Sequence, residues 1–127
     1  MEDFVVCYGS SEVVIVAMSY PTDTPEERWR SAGHVMDHIE LAVFNKKGQL
    51  VNRGEKGEVC IRGYSVMIGY YNDEEKTKKA IKPDRWYRTG YVVGRVDGLI
   101  VNCLSDMGFM NHDGSVVICD RFIIDMN

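Results

Sequence analysis

Tyr8, Gly9, Ser10, Ser11 and Glu12 are consecutive and put an aromatic ring, two hydroxyls and a carboxylate into one short segment. A nucleotide can use all of them. Aromatic faces stack on bases, hydroxyls donate to phosphate oxygens, and a carboxylate can hold the Mg2+ that accompanies ATP. The same pentapeptide is also an ordinary strand-to-loop turn with a solvated Glu12, and taken alone it does not choose between these readings. Other reactive residue types lack the spacing that chemistry would need. His34, His38 and His112 have no metal-ligand partners at suitable intervals and read as surface or turn histidines. Cys7, Cys60, Cys103 and Cys119 are far apart, never form C-x-x-C, and read as buried reduced thiols. Trp86 and Tyr87 read as core packing at the start of a strand rather than as a pocket wall. The scattered methionines suit adaptable core filling.

The elements that must position the pentapeptide are short strands. The run FVVCY, residues 4–8, is closed by Gly9, Ser10 and Ser11, which predicts a buried strand feeding a polar loop. A second apolar run, Val13 to Met18, leads into YPTDTPEE, where Pro21 and Pro25 exclude regular sheet or helix and predict a surface excursion. Alternation over Ile39 to Phe44 puts Ile39, Leu41 and Val43 on one face, and NKKG supplies a turn before Leu50 and Val51, a hairpin signature. GEVCIRG predicts a strand over Glu58 to Arg62. One helix is expected, capped by Asn72 with Glu75 as its capping-box partner, acids in the first turn, lysines in the last and Pro83 beyond. Thr77, Ala80 and Ile81 would face inward. Strands return after Trp86, in Tyr91 to Cys103 and Val116 to Cys119. The fold class is therefore α+β and β-rich, a single unit of packed hairpins.

Bulk properties agree with one domain. The 127 residues are 45% hydrophobic, enough for a core. A formal charge of -4 with acids and bases interspersed leaves no basic stripe, so nucleic acid is not an expected partner. No apolar run approaches the roughly 18 residues of a membrane span, so no transmembrane segment is expected. The acidic start MEDF is unlike a targeting segment, and nothing in the chain addresses it to a compartment.

The ordered series YGSSE, SAGHVMDHIELAV, GEVCIRGYSVMIGYYN and DRWYRTG resembles the adenylate-forming superfamily, and its wording is most similar to medium-chain fatty acyl-CoA synthetases of the AMP-forming type. The resemblance runs from about Phe4 to Arg121. It implies a partial AMP-binding domain over 1–127, a fragment of the large N-terminal domain comprising a strand-loop end and a distorted β-barrel subdomain. It also implies a fatty acid–CoA ligase that uses ATP, Mg2+ and coenzyme A as a co-substrate. A fatty acid carboxylate attacks the α-phosphate, pyrophosphate leaves, and the coenzyme A thiol then displaces AMP. Residue by residue, Tyr8 resembles the aromatic packed on adenine, Gly9 the residue that allows close backbone approach, and Ser11 the usual threonine hydroxyl. Glu12 resembles the acidic residue that helps hold Mg2+ on the phosphates, a catalytic role. A mitochondrial setting is compatible with the resemblance.

The family's ribose-binding aspartate directly follows Thr-Gly, but here Tyr91 follows Thr89-Gly90. The resemblance places that role on Asp106, after the stretch YVVGRVDGLIVNCLS, residues 91–105, which reads as an insertion. The stretch either loops out and lets Asp106 reach its site or displaces it, and as a plain hairpin it would turn at Asp97-Gly98. Arg121 resembles the arginine that also reaches the ribose. The Ser/Thr/Gly-rich phosphate loop and the lysine-bearing carboxy-terminal domain of full enzymes are absent from these residues. Met1 precedes a strand that the family places inside its large domain, so the chain is expected to begin mid-fold and to be inactive alone. The alternative is a non-catalytic truncated remnant or a β-rich association module.

Overall fold

The computed structural model describes residues 4–89, 93–96, 99–102 and 106–121, with side chains over 4–89 and 108–118. Among the described residues, three antiparallel sheets and two short helices make a β-rich α+β unit, as the pattern of short apolar runs requires.

The first sheet has the order β1 (Cys7–Ser10), β2 (Val14–Met18), β3 (His34–Val35). The expected strand Phe4 to Tyr8 is displaced along the chain. Gly9 and Ser10, read from sequence as loop, remain in β1 and pair with Ile15 and Val14, with a register shift between Tyr8 and Gly9. The cause is Gly9 itself. A Cβ there would lie 1.7 Å from the Val14 carbonyl oxygen, so only a residue without a side chain lets the strands close. The turn is completed by Val13 N–H donating to the Ser10 carbonyl at 3.3 Å. Val14 follows at φ 61°, a costly region for a β-branched residue.

The segment after β2 corrects the sequence reading. Helix α1 spans Pro25–Arg30, with Thr24 as N-cap and a reciprocal capping box to Glu27. Pro25 begins this helix because proline suits the first turn, where the missing N–H has no intrahelical partner. The pattern Thr-Pro-x-Glu was the available signal.

The second sheet runs β10 (Val116–Arg121), β9 (Asp106–Met110), β5 (Gly57–Gly63), β4 (Ile39–Phe44), with β6 (Tyr87–Arg88) also on β5. Alternation in β4 works as expected, with Ile39 and Val43 buried and Glu40 exposed. The NKKG turn forms, with Gly48 N–H donating to the Asn45 carbonyl at 2.9 Å and Val51 N–H to the Val43 carbonyl at 3.0 Å. Strand β5 is central, so Val59, Cys60 and Ile61 are fully buried. Helix α2 spans Glu74–Ala80, and its N-cap is Asp73, whose carboxylate accepts from Lys76 N–H at 3.0 Å, instead of Asn72. Asn72 sits one residue earlier at φ 52°, a conformation asparagine tolerates. Ala80 and Ile81 pack on the core as expected.

The core joins the first two sheets: Val13 and Val16 meet Ile39, Val59, Ile61 and Tyr87. Each such side chain contributes about 1.5–3 kcal/mol when withdrawn from water. Trp86 packs elsewhere, edge-on to Phe44 at 5.5 Å and under the Arg62 guanidinium at 4.5 Å.

Strands β7 (Val93–Val96) and β8 (Leu99–Asn102) pair with each other, from Val93↔Asn102 to Val96↔Leu99, and with no other strand among the described residues. The Asp97-Gly98 dipeptide lies outside those residues. On β5, Arg88 of β6 pairs with Cys60 and Met107 of β9 pairs with Glu58, so the two strands occupy successive stretches of one edge. Thr89 Oγ1 donates to the Val59 carbonyl at 2.8 Å.

Candidate functional site

The β1–β2 hairpin places Tyr8, Gly9, Ser10, Ser11 and Glu12 around one tight turn. Tyr8 is half-buried and packs against the core, Ser11 is exposed, and Glu12 is half-buried. The Glu12 carboxylate accepts from the Tyr70 hydroxyl at 3.2 Å, while its main-chain carbonyl accepts from Met67 N–H at 2.8 Å. Partial burial pushes its pKa upward. Hydrogen bonds from its own backbone N–H, the Ser10 hydroxyl and the Tyr70 phenol, with the Lys76 ammonium nearby, outweigh that and hold the group below the usual carboxylate range. Glu12 is therefore an ionised, hard oxygen donor. Burial and the Glu12 charge together push the Tyr70 phenol upward, keeping it a donor.

Asp106 and Arg121, 15 residues apart in sequence, are register partners at the open end of the β9–β10 pair. Tyr8 and Ile118 pack on the same core, which ties the Tyr-Gly hairpin to β10. The candidates thus form two backbone-defined groups: Tyr8, Gly9, Ser11 and Glu12 on one turn, Asp106 and Arg121 on one strand pair. Sequence reasoning passed over Tyr70 and Lys76. Their signal was GYSVMIGYYN, which carried resemblance but no individual role.

The remaining reactive residues are sorted by burial. Cys60 is buried, and desolvation with the nearby Glu58 charge pushes its thiol to about 12, whereas Cys7 is exposed, against the expectation of burial. Cys103 lies outside the described residues. His34 is a strand residue stacked on Tyr20 at 4.5 Å, not a surface or turn histidine; His38 and His112 are exposed as expected. Among the described residues no three His, Cys, Asp or Glu side chains converge on a metal position, and no helix is long and apolar enough to cross a membrane.

The chain belongs to the AMP-binding enzyme family, whose sequence model matches residues 1–71. It is 44% identical over 94 residues to a mitochondrial medium-chain acyl-CoA ligase of Pongo abelii, covering 72% of this chain and 15% of that protein. The Danio rerio protein of the same name is 35% identical over 114 residues, covering 80% of this chain and 19% of its own length. Among solved structures, the amide bond synthetase McbA from Marinactinospora thermotolerans superposes with a TM-score of 0.71 at 26% identity, over 92% of this chain and 21% of McbA. The 127 residues thus span about one sixth of these ligases, and the fold is that of part of an adenylate-forming domain.

Proposed function

We propose that these residues form the nucleotide-facing part of an AMP-forming fatty acid–CoA ligase, activating a fatty acid with ATP and passing it to coenzyme A. The observation that carries the reading is the Tyr8–Glu12 hairpin, in which an aromatic ring, an exposed hydroxyl and an ionised carboxylate share one turn. Tyr8 lies against adenine, and Gly9, whose missing side chain lets β2 close on β1, presents its backbone beside it. Ser11 Oγ donates to a phosphate oxygen. Glu12 fits Mg2+, which takes one or two carboxylates and completes its shell with phosphate and water oxygens. When bound, that ion neutralises phosphate charge. Asp106 accepts the ribose hydroxyls and Arg121 donates to the same sugar, which their cross-strand pairing allows. Residues 91–105 are an insertion that leaves this pair in place.

A chimera tests the reading. Residues 1–127 replace the matching segment of a medium-chain acyl-CoA ligase, and ATP–pyrophosphate exchange is measured with a medium-chain fatty acid. Exchange is expected, with Glu12→Gln lowering it by at least about tenfold through loss of one charge-assisted contact. A folded, active chimera indifferent to both Glu12→Gln and Tyr8→Ala overturns the assignment. The 127 residues alone contain no phosphate loop and are expected to yield no acyl-CoA above a no-protein control.

A further inference from the structure

We propose that Tyr70 is a positioning residue that fixes the Glu12 side chain at the turn of the Tyr-Gly hairpin, with Lys76 and Tyr87 holding Tyr70 from behind. The proposal rests on the reading of Glu12 as the nucleotide-site carboxylate, and it deepens that reading by naming what orients the carboxylate.

Glu12 is gripped at both ends by one segment. After β5 the chain turns back, Val66 N–H donating to the Gly63 carbonyl at 3.2 Å, so that Met67 N–H reaches the Glu12 carbonyl at 2.8 Å. Three residues later the Tyr70 hydroxyl reaches Glu12 Oε1 at 3.2 Å. The first contact places the Glu12 backbone and the second its carboxylate. A glutamate free at a turn would otherwise sample several rotamers.

Tyr70 is itself held on three sides. Its N–H donates to Thr77 Oγ1 at 2.8 Å, and that hydroxyl donates to the Asp73 carbonyl at 2.8 Å, tying the residue to the first turn of α2. Lys76 Nζ lies 4.1 Å from the centre of its ring, a cation–π contact. The Tyr87 side chain, buried on β6, adds an electrostatic contact to the same phenol. Tyr87 belongs to β6, the strand that leads to Thr89 and the edge where Asp106 lies. A line of polar contacts, Tyr87 to Tyr70 to Glu12, therefore crosses between the two large sheets. Gly69 makes this possible, because a Cβ there would meet Thr77 Cγ2 at 2.8 Å. A phenol needed only as apolar filling would not present its hydroxyl to a carboxylate while carrying an ammonium on its face.

The test reads Glu12 directly in the full 127-residue chain, uniformly labelled with 13C and 15N. Side-chain scalar couplings and methylene NOEs report whether Glu12 holds one rotamer. The unmutated chain is expected to show one, and Tyr70→Phe, which keeps the ring and its lysine, is expected to show averaging over at least two while amide shifts of Val59, Cys60 and Ile61 stay put. Tyr87→Phe should loosen Glu12 to a smaller degree. Averaging in the unmutated chain overturns the proposal even if Tyr70→Phe fails to fold, and so does a Tyr70→Phe chain that keeps the single rotamer. Titration with Mg2+–ATP separates the two claims: if the Glu12 resonances of the unmutated chain do not respond, the nucleotide reading fails while the rotamer result still decides the role of Tyr70. If they respond, Tyr70→Phe should weaken that response by about tenfold, as expected for one hydrogen bond to a charged group.

Discussion

Gly9→Ala should open the hairpin that carries Glu12. The added methyl would sit 1.7 Å from the Val14 carbonyl oxygen, 2.7 Å from its carbon and 3.0 Å from the Ile15 Cα. All three are backbone atoms, so no side-chain rotation relieves the clash, and the strands must separate or lose pairing. Overpacking that moves backbone costs about 3 kcal/mol. At a urea dependence of roughly 1–3 kcal/mol per molar, the midpoint should fall by roughly 1–3 M, and the thermal midpoint by roughly 10–15 °C. Gly48→Ala is the internal control. Gly48 has φ 75° and nothing within 4 Å of an added Cβ, so its substitution costs only the conformational preference, about 1 kcal/mol. Paired urea titrations followed by far-ultraviolet circular dichroism measure both. A Gly9→Ala chain already unfolded in buffer agrees with the argument. Equal losses for the two variants, or a Gly9→Ala midpoint unchanged within error, would refute it.

Deleting residues 91–105 should change the unfolding free energy by less than about 1 kcal/mol, because β7 and β8 pair only with each other among the described residues and the flanking strands β6 and β9 lie on one edge of β5; a larger loss in urea titration would mean the hairpin supports the sheet. Acidification should melt the start of α1. The Thr24 backbone N–H and then its hydroxyl lower the Glu27 pKa below its ordinary 4.5, so this stabilisation is complete above 4.5 and is lost as pH falls through the lowered folded value. Thermal midpoints of Glu27→Gln should accordingly depend less on pH in that acid range than those of the unmutated chain, and parallel curves would count against it. Cys7 should be alkylated by iodoacetamide at pH 8 while Cys60, buried with its thiol raised to about 12, stays unlabelled in the folded chain, as read by peptide mass spectrometry; equal labelling would show that β5 is not the core strand.

Much of this chain could be read from local chemistry alone. Strand β4 occupies the alternating segment Ile39–Phe44, the NKKG turn closes as Asn and Gly dictate, and Ala80 and Ile81 face the core as the helical spacing requires. The motif series also pointed to the family, because a nucleotide site built on a tight turn constrains consecutive residue types. Helix α1 was legible too, in Thr24, Pro25 and Glu27, but the two prolines were read as breakers when one of them starts the helix.

Tertiary structure decided the rest, since it depends on residues distant in sequence. Whether Gly9 belonged to loop or strand depended on how closely Val14 could approach, which no window around Gly9 contains. Glu12 meets its partner Tyr70 across 58 residues, and Asp106 faces Arg121 only because β9 and β10 take one register. A sequence states which groups a chain offers. Which of them meet is set by the packing of sheets whose strands come from separate parts of the chain, because hydrogen-bond register and core contact are long-range conditions satisfied together.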